Sequence, residues 1–280
     1  AWRLLHHLPI YTRPGDVFAP FPYPPAHTLA LAAAGWLAGG LDYGPARAVS
    51  VLSFALLSVT LLVVVRRHLT PRGGGTAAGL AAVAFVACSF PAVGGWYALV
   101  RVDTMMIALC VLAAALASEP EMGWGRTVTA SLAMTAAIFT KQTSAFFAGW
   151  ICLFALVRHW REGVRLSCTA LAFCGVALAL LLQQTRGRAW FWIFQNLASH
   201  PLATGELRHG LQIVSGFAPF VVALPVAFTL LAATRRASAA TWLWFGMLVV
   251  AVPAALLPYA KHGGWKNDMI PMVVLLVPAT

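Results

Sequence analysis

Three short stretches place cations beside carboxylates or amides in a chain of which only 10% is charged: Arg101-Val102-Asp103, Thr140-Lys141-Gln142, and the run from Lys261 to Asp268, KHGGWKND. Guanidinium and ammonium groups fixed in a dry cavity stabilise a phosphate, or negative charge developing on one, far better than they would in water. Arg101 and Asp103 open an apolar run at a depth where ionisable groups usually pair or line a cavity. They are either a self-contained ion pair, with Asp103 capping a helix start, or part of a substrate site. Lys141 has no carboxylate nearby in sequence and interrupts what would be one apolar stretch. It either snorkels to the membrane interface or binds a phosphate, with Gln142 or Thr143 donating further hydrogen bonds. In the third stretch Gly263 and Gly264 permit a tight turn or a close approach of backbone to ligand. Lys261, His262, Lys266 and Asn267 ring that turn with donors, and Asn267 with Asp268 can cap the helix that follows. The turn is richer in cations than a plain loop needs, which suits an anion site.

A fourth polar stretch, residues 1–25, is a proline- and aromatic-rich loop expected to pack on a membrane surface. Tyr23-Pro24-Pro25 fixes a stiff, extended approach to the next helix, with Tyr11 and His27 nearby. His6 and His7 lack partners at metal-ligand spacing. The five cysteines are scattered through apolar stretches with no CxxC pair and read as small packing residues. No Gly-rich phosphate loop, HExxH or GxSxG occurs, and neither a metal nor a cofactor is expected.

The elements that position these groups are membrane helices. The 280 residues are 60% hydrophobic and 10% charged, with mean hydropathy +0.80, against roughly 45–50% and about 25% in soluble domains. Several runs approach the roughly 20 apolar residues that cross a hydrocarbon core, and their length and lack of alternation exclude a β-barrel. The expected fold class is all-α, a polytopic transmembrane helical bundle forming one domain over 1–280. An exoplasmic loop and juxtamembrane helix occupy 1–45, with the short apolar helix near 26–40. About nine spans follow, at 46–66, 76–98, 103–118, 127–140, 144–158, 165–185, 210–233, 239–259 and 268–280. Three of them, 103–118, 127–140 and 144–158, are short, at roughly 21 to 24 Å for a rise of about 1.5 Å per residue. Interrupted or short membrane helices are useful pointers to a binding site.

A formal charge of +11 would suggest nucleic acid in a soluble protein. Here the basic residues flank apolar segments, so membrane lipids are the expected surroundings and nucleic acid is not a partner. Arg66, Arg67, Arg72, Arg126, Arg158, Arg161, Arg165, Arg235 and Arg236 include the tight clusters RRHLTPR, RHWREGVR and RR at span ends, which look like topology anchors for the inner side. The polar stretches described above then share the exoplasmic side. Raw charge counts are nearly even between the sides and do not fix the orientation. The chain opens at Ala1 without a methionine or signal-like region and stops at Thr280 inside an apolar run, so it reads as part of a longer protein.

With these residues in view, the chain resembles the GT-C fold membrane glycosyltransferases of the dolichyl-phosphate-mannose-protein mannosyltransferase and aminoarabinose-transferase kind. The resemblance rests on AWRLLHHLPIY and FPYPPAHTLAL in the first loop, Arg101-Val102-Asp103 opening a short helix, the Thr140-Lys141-Gln142 turn, and Gly263, Gly264 and Asn267 before a late helix. The motifs agree in order and spacing over nearly the whole chain. The resemblance implies an inverting, polyprenyl-phosphate-sugar-dependent hexosyl or pentosyl transferase of the cell envelope. It would take its sugar from a polyprenyl-phosphate-linked donor and pass it to a lipid, glycan or protein acceptor. The active site would lie on the exoplasmic side of a bacterial inner membrane. It further implies that Arg101, Lys141, Gln142, Lys261 and Lys266 bind the donor phosphate and that Tyr11, Tyr23, Pro24, Pro25, Gly263, Gly264 and Asn267 line the site. Asp103 would be a supporting catalytic carboxylate, with the first helix and the main base preceding Ala1. Tyr23 occupies a position where some aminoarabinose-type members carry a basic residue, which leaves sugar and donor class open.

A secondary transporter or flippase for an anionic solute would also need buried cations and short helices. It predicts an internal repeat and charged groups near the midplane of both halves. The sequence shows no repeat, and its polar groups gather at one set of helix ends.

Overall fold

The structure, a computed structural model, describes residues 1–16, 22–69, 75–119, 121–216, 238–261 and 265–279. Helix α1 (Trp2–Leu5) is a single turn within the first loop, and α2 (Ala26–Leu37) follows the Pro24-Pro25 pair. The bundle is then built from α3 (Tyr43–Leu69), α4 (Gly75–Cys88), α5 (Val102–Ala117), α6 (Trp124–Ile138), α7 (Ser144–Arg158) and α8 (Trp160–Gln184). A helical segment follows, made of α9 (Arg188–Trp190), a π-helical turn (Phe191–Gln195) and α10 (Asn196–Ser199). Helices α11 (Thr204–Gly216), α12 (Ala239–Tyr259) and α13 (Ile270–Ala279) complete the described chain. Among the described residues there is no strand, only an isolated antiparallel bridge between Leu202 and Lys261.

Among the described residues, three helices are long and apolar enough to cross a membrane: Tyr43–Arg67, Trp160–Gln184 and Ala239–Tyr259. The three short spans expected from sequence appear as α5, α6 and α7, of 16, 15 and 15 residues. Two of the expected spans contain a turn where helix was expected. The run at 76–98 helixes only to Cys88, because the chain then turns through Pro91, Gly94 and Gly95, the glycines at φ of 69° and 77°. Apolar composition continues across that turn and hides it. The last run begins with a 3-10 turn, Lys266–Met269, before α13. The expected span at 210–233 lies largely outside the described residues.

Helix α5 is the centre of the bundle. It packs on α3, α6 and α7, while α6 and α7 pack on α8, α7 packs on α12, and α12 on α13. Small residues allow the close approaches: a Cβ on Gly163 would lie 2.3 Å from the backbone nitrogen of Leu156, and one on Gly246 would lie 1.9 Å from the Trp150 ring. Val51, Leu52 and Val59 of α3 and Leu171, Val176 and Leu180 of α8 are exposed. Such apolar outer faces suit a hydrocarbon solvent.

The two ends of the bundle differ in chemistry. At one, Arg67 pairs with Glu119, Arg126 lies 3.7 Å from the same carboxylate, and Arg158 donates to the Ser118 carbonyl at 2.9 Å. The N-terminus of α5, the α6–α7 turn, the C-terminus of α12 and the Lys266–Met269 turn meet at the opposite end.

Candidate active site

Local hydrogen bonds fix each contributor before any charge is considered. Ahead of α5 the chain is extended at Arg101, with φ −136° and ψ 154°. It is tied down by the Ser50 hydroxyl donating to the Leu99 carbonyl at 2.6 Å and the Thr104 hydroxyl donating to the Tyr97 carbonyl at 3.3 Å. Asp103 therefore enters the first turn of α5, where the helix dipole favours a carboxylate. Between α6 and α7 the Lys141 N–H donates to the Ala137 carbonyl at 2.9 Å and the Ser144 N–H to the Lys141 carbonyl at 3.1 Å. This tight turn drives the Lys141 side chain inward.

Lys141 Nζ lies 2.6 Å from Asp103 Oδ1 and 2.7 Å from Asp268 Oδ1. All three residues are buried, Asp103 completely. Asn267 Nδ2 donates to Asp103 Oδ2 at 2.9 Å, and Arg101 Nε stands 3.7 Å from that oxygen, beyond hydrogen-bond reach. The other Asp268 oxygen accepts from the Trp265 N–H at 3.2 Å. Burial alone would lower the Lys141 pKa, but Asp103 and then Asp268 outweigh it, and the net shift is upward. The ammonium is thus held charged between two carboxylates.

In front of this network lies a cavity of about 420 Å³. Arg101, Lys141, Lys261 and His200 contribute to its polar side, and Phe146, Phe194, Leu197 and Leu257 are among its apolar lining. The Arg101 guanidinium also sits 4.9 Å from the centroid of the Trp96 ring. Lys261 donates to the Leu197 carbonyl. Gln142 Nε2 donates to the carbonyls of Pro22 at 3.1 Å and Ile193 at 3.0 Å, closing the cavity between the first loop and the π-helical turn.

The structure therefore brings together Arg101, Asp103, Lys141, Gln142, Tyr23, Asn267 and Lys261 from the residues singled out in sequence. Tyr11 lies behind Tyr23, donating to its carbonyl at 2.6 Å, and Pro24 and Pro25 are buried beside it. Lys266 is exposed and is not among the cavity's lining. Gly263 and Gly264, with His262, lie outside the described residues. The first loop does not simply rest on a surface: the Thr12 carbonyl accepts from Trp192 Nε1 at 2.8 Å. Two contributors went unnoticed in sequence. Asp268 read as a helix cap, although a buried Lys141 required carboxylates from somewhere. The segment Arg188–Ser199, between the expected spans 165–185 and 210–233, was assigned no role, although its run Trp190-Phe191-Trp192-Ile193-Phe194 is apolar enough to wall a cavity.

No protein-family model and no curated protein matches the chain. Solved structures do match in fold. ArnT from Cupriavidus metallidurans bound to undecaprenyl phosphate superposes with a TM-score of 0.63 at 17% identity, over 91% of this chain. ArnT from the same organism in the apo state gives 0.62 at 19% identity, over 92%. The chain spans 48% of the length of each. It has the helical GT-C membrane fold of those structures.

Proposed function

We propose that the chain forms the donor-binding part of a membrane glycosyltransferase. The enzyme moves a sugar from a polyprenyl-phosphate-linked donor to a lipid, glycan or protein acceptor on the exoplasmic face of a bacterial inner membrane. The observation that carries this reading is the cavity's two-sided lining. Three cations face two buried carboxylates, leaving one net positive charge on the polar side, and aromatic and aliphatic side chains cover the rest. A phosphate attached to a hydrocarbon chain needs both surfaces at once, whereas a soluble anion needs only the first. The undecaprenyl phosphate named for the Cupriavidus ArnT structure has this chemistry.

In the reaction, the acceptor hydroxyl oxygen attacks the anomeric carbon as the bond from that carbon to the donor phosphate oxygen breaks. The phosphate leaves with the electron pair, the configuration inverts, and a carboxylate base takes the acceptor's proton. Cations at the cavity wall stabilise the charge growing on the leaving phosphate. Asp103 acts in support: both its oxygens are engaged by Lys141 and Asn267, so it orients the site rather than taking the proton.

Membranes containing the full-length protein should transfer radiolabelled sugar from a polyprenyl-phosphate-linked donor. Lys261→Met and Asp103→Asn should each lower transfer on the order of 10²-fold at equal protein level. Absence of transfer across a broad donor panel, together with uptake of an anionic solute into vesicles, would replace this reading with a transporter.

A further inference from the structure

The two lysines at the cavity differ in what already holds them. Lys141 Nζ spends two of its three N–H donors on carboxylates, at 2.6 and 2.7 Å, and the Tyr23 ring centroid lies 5.9 Å away on the cavity side. Two carboxylates around one ammonium leave negative charge there, balanced among the described residues by Arg101. A phosphate approaching Lys141 would therefore meet Asp103 and Asp268 as well. Lys261 is different: its Nζ donates to a neutral carbonyl, that of Leu197, and no carboxylate pairs with it among the described residues. A neutral acceptor is readily exchanged for a phosphate oxygen, which makes the stronger, charge-assisted bond. The Arg101 side chain is 29% exposed, and its Nε has no hydrogen-bond partner among the described residues.

We infer that Lys141 is a positioning residue that binds Asp103 and Asp268 to each other, joining α5 and the α6–α7 turn to the Lys266–Met269 turn, while Lys261 and Arg101 contact the donor's phosphate. The second half rests on the donor-cavity reading above; the first rests on the geometry alone. Removing the ammonium leaves two carboxylates in one buried place, faced by Arg101, by Tyr23 from the first loop, by His27 from α2 and by Tyr259 from α12. One carboxylate must then take up a proton to fold. Protonation relieves the repulsion between the two carboxylates, so the lost stability returns as pH falls and is absent at higher pH.

The test uses the full-length protein in detergent, with undecaprenyl phosphate as the probe, and reads thermal midpoint and binding for three variants. Lys141→Met should melt lower than the unaltered protein at about pH 8 and recover toward about pH 5. Lys141→Met/Asp268→Asn should melt near the unaltered protein without that pH dependence, and should lose far less of its binding of undecaprenyl phosphate than Lys261→Met does. Lys261→Met should keep its midpoint and lose binding by about tenfold or more. The inference is overturned if Lys141→Met melts like the unaltered protein at every pH. It is equally overturned if the folded double variant loses binding as far as Lys261→Met. Should the unaltered protein not bind the probe, the donor-cavity reading fails, and the melting curves still decide the role of Lys141.

Discussion

Asn267 shows how much of this site is spent on holding other residues in place. Its Nδ2 faces Asp103, while its buried Oδ1 accepts no hydrogen bond among the described residues. Replacing it by leucine removes a bond to a charged group but also an unsatisfied oxygen. Asn267→Leu should therefore cost only about 1.5 kcal/mol, the low end for such bonds, measured by denaturant unfolding in detergent. Transfer activity should fall further than stability, because Asp103 would lose one of the two bonds that orient it. At this scale the sequence was informative where a polar residue broke an apolar run: Arg101, Asp103, Lys141 and Asn267 all announce themselves that way. What it could not show was pairing at a distance. Asp268 is 127 residues from Lys141, and its neighbours offered a sufficient local role as a helix cap. The Lys261 bond to the Leu197 carbonyl, across 64 residues, was hidden for the same reason.

Among the elements, the short helices α5, α6 and α7 explain why the polar groups meet. A helix of 15 residues is about 22 Å long, less than a hydrocarbon core of about 30 Å, so the turns at its ends can sit within a wet recess. Their lengths were legible, since Ser118 to Gly123 and Thr140 to Thr143 break the apolar pattern on either side of α6. The end of α4 was not, because the turn after Cys88 is built from Phe90, Pro91, Val93 and two glycines, nearly as apolar as a helix. Close packing of α7 on α8 depends on Gly163, where a Cβ would press on the backbone of Leu156 rather than on a movable side chain. Gly163→Ala should destabilise the protein by about 1–3 kcal/mol, read as a lower thermal midpoint. Because Gly163 lies at the end of α8 far from the cavity, binding of undecaprenyl phosphate by the folded fraction should be unchanged.

As a whole, the molecule is polarised from end to end. Arginine clusters and Glu119 occupy one end, the cavity and its buried ion network the other, and apolar faces of α3 and α8 lie between. The proposed orientation, with the arginine end in the cytoplasm, follows the positive-inside tendency. Substituted-cysteine labelling reads it directly, in a background where Cys88, Cys110, Cys152, Cys168 and Cys174 are alanine. A membrane-impermeant maleimide should label Lys266→Cys in intact spheroplasts, and Trp124→Cys only after permeabilisation; both positions are exposed. The reverse pattern would put the cavity on the cytoplasmic side. The central claim, that this cavity receives the phosphate end of a polyprenyl donor, is tested most directly by photocrosslinking a diazirine-bearing polyprenyl phosphate and mapping the adducts by mass spectrometry. The account predicts adducts on Phe146, Leu197 and Leu257, competed away by undecaprenyl phosphate and lost in Lys261→Met. Adducts confined to the outer faces of α3 and α8, indifferent to competitor and to Lys261, would contradict it.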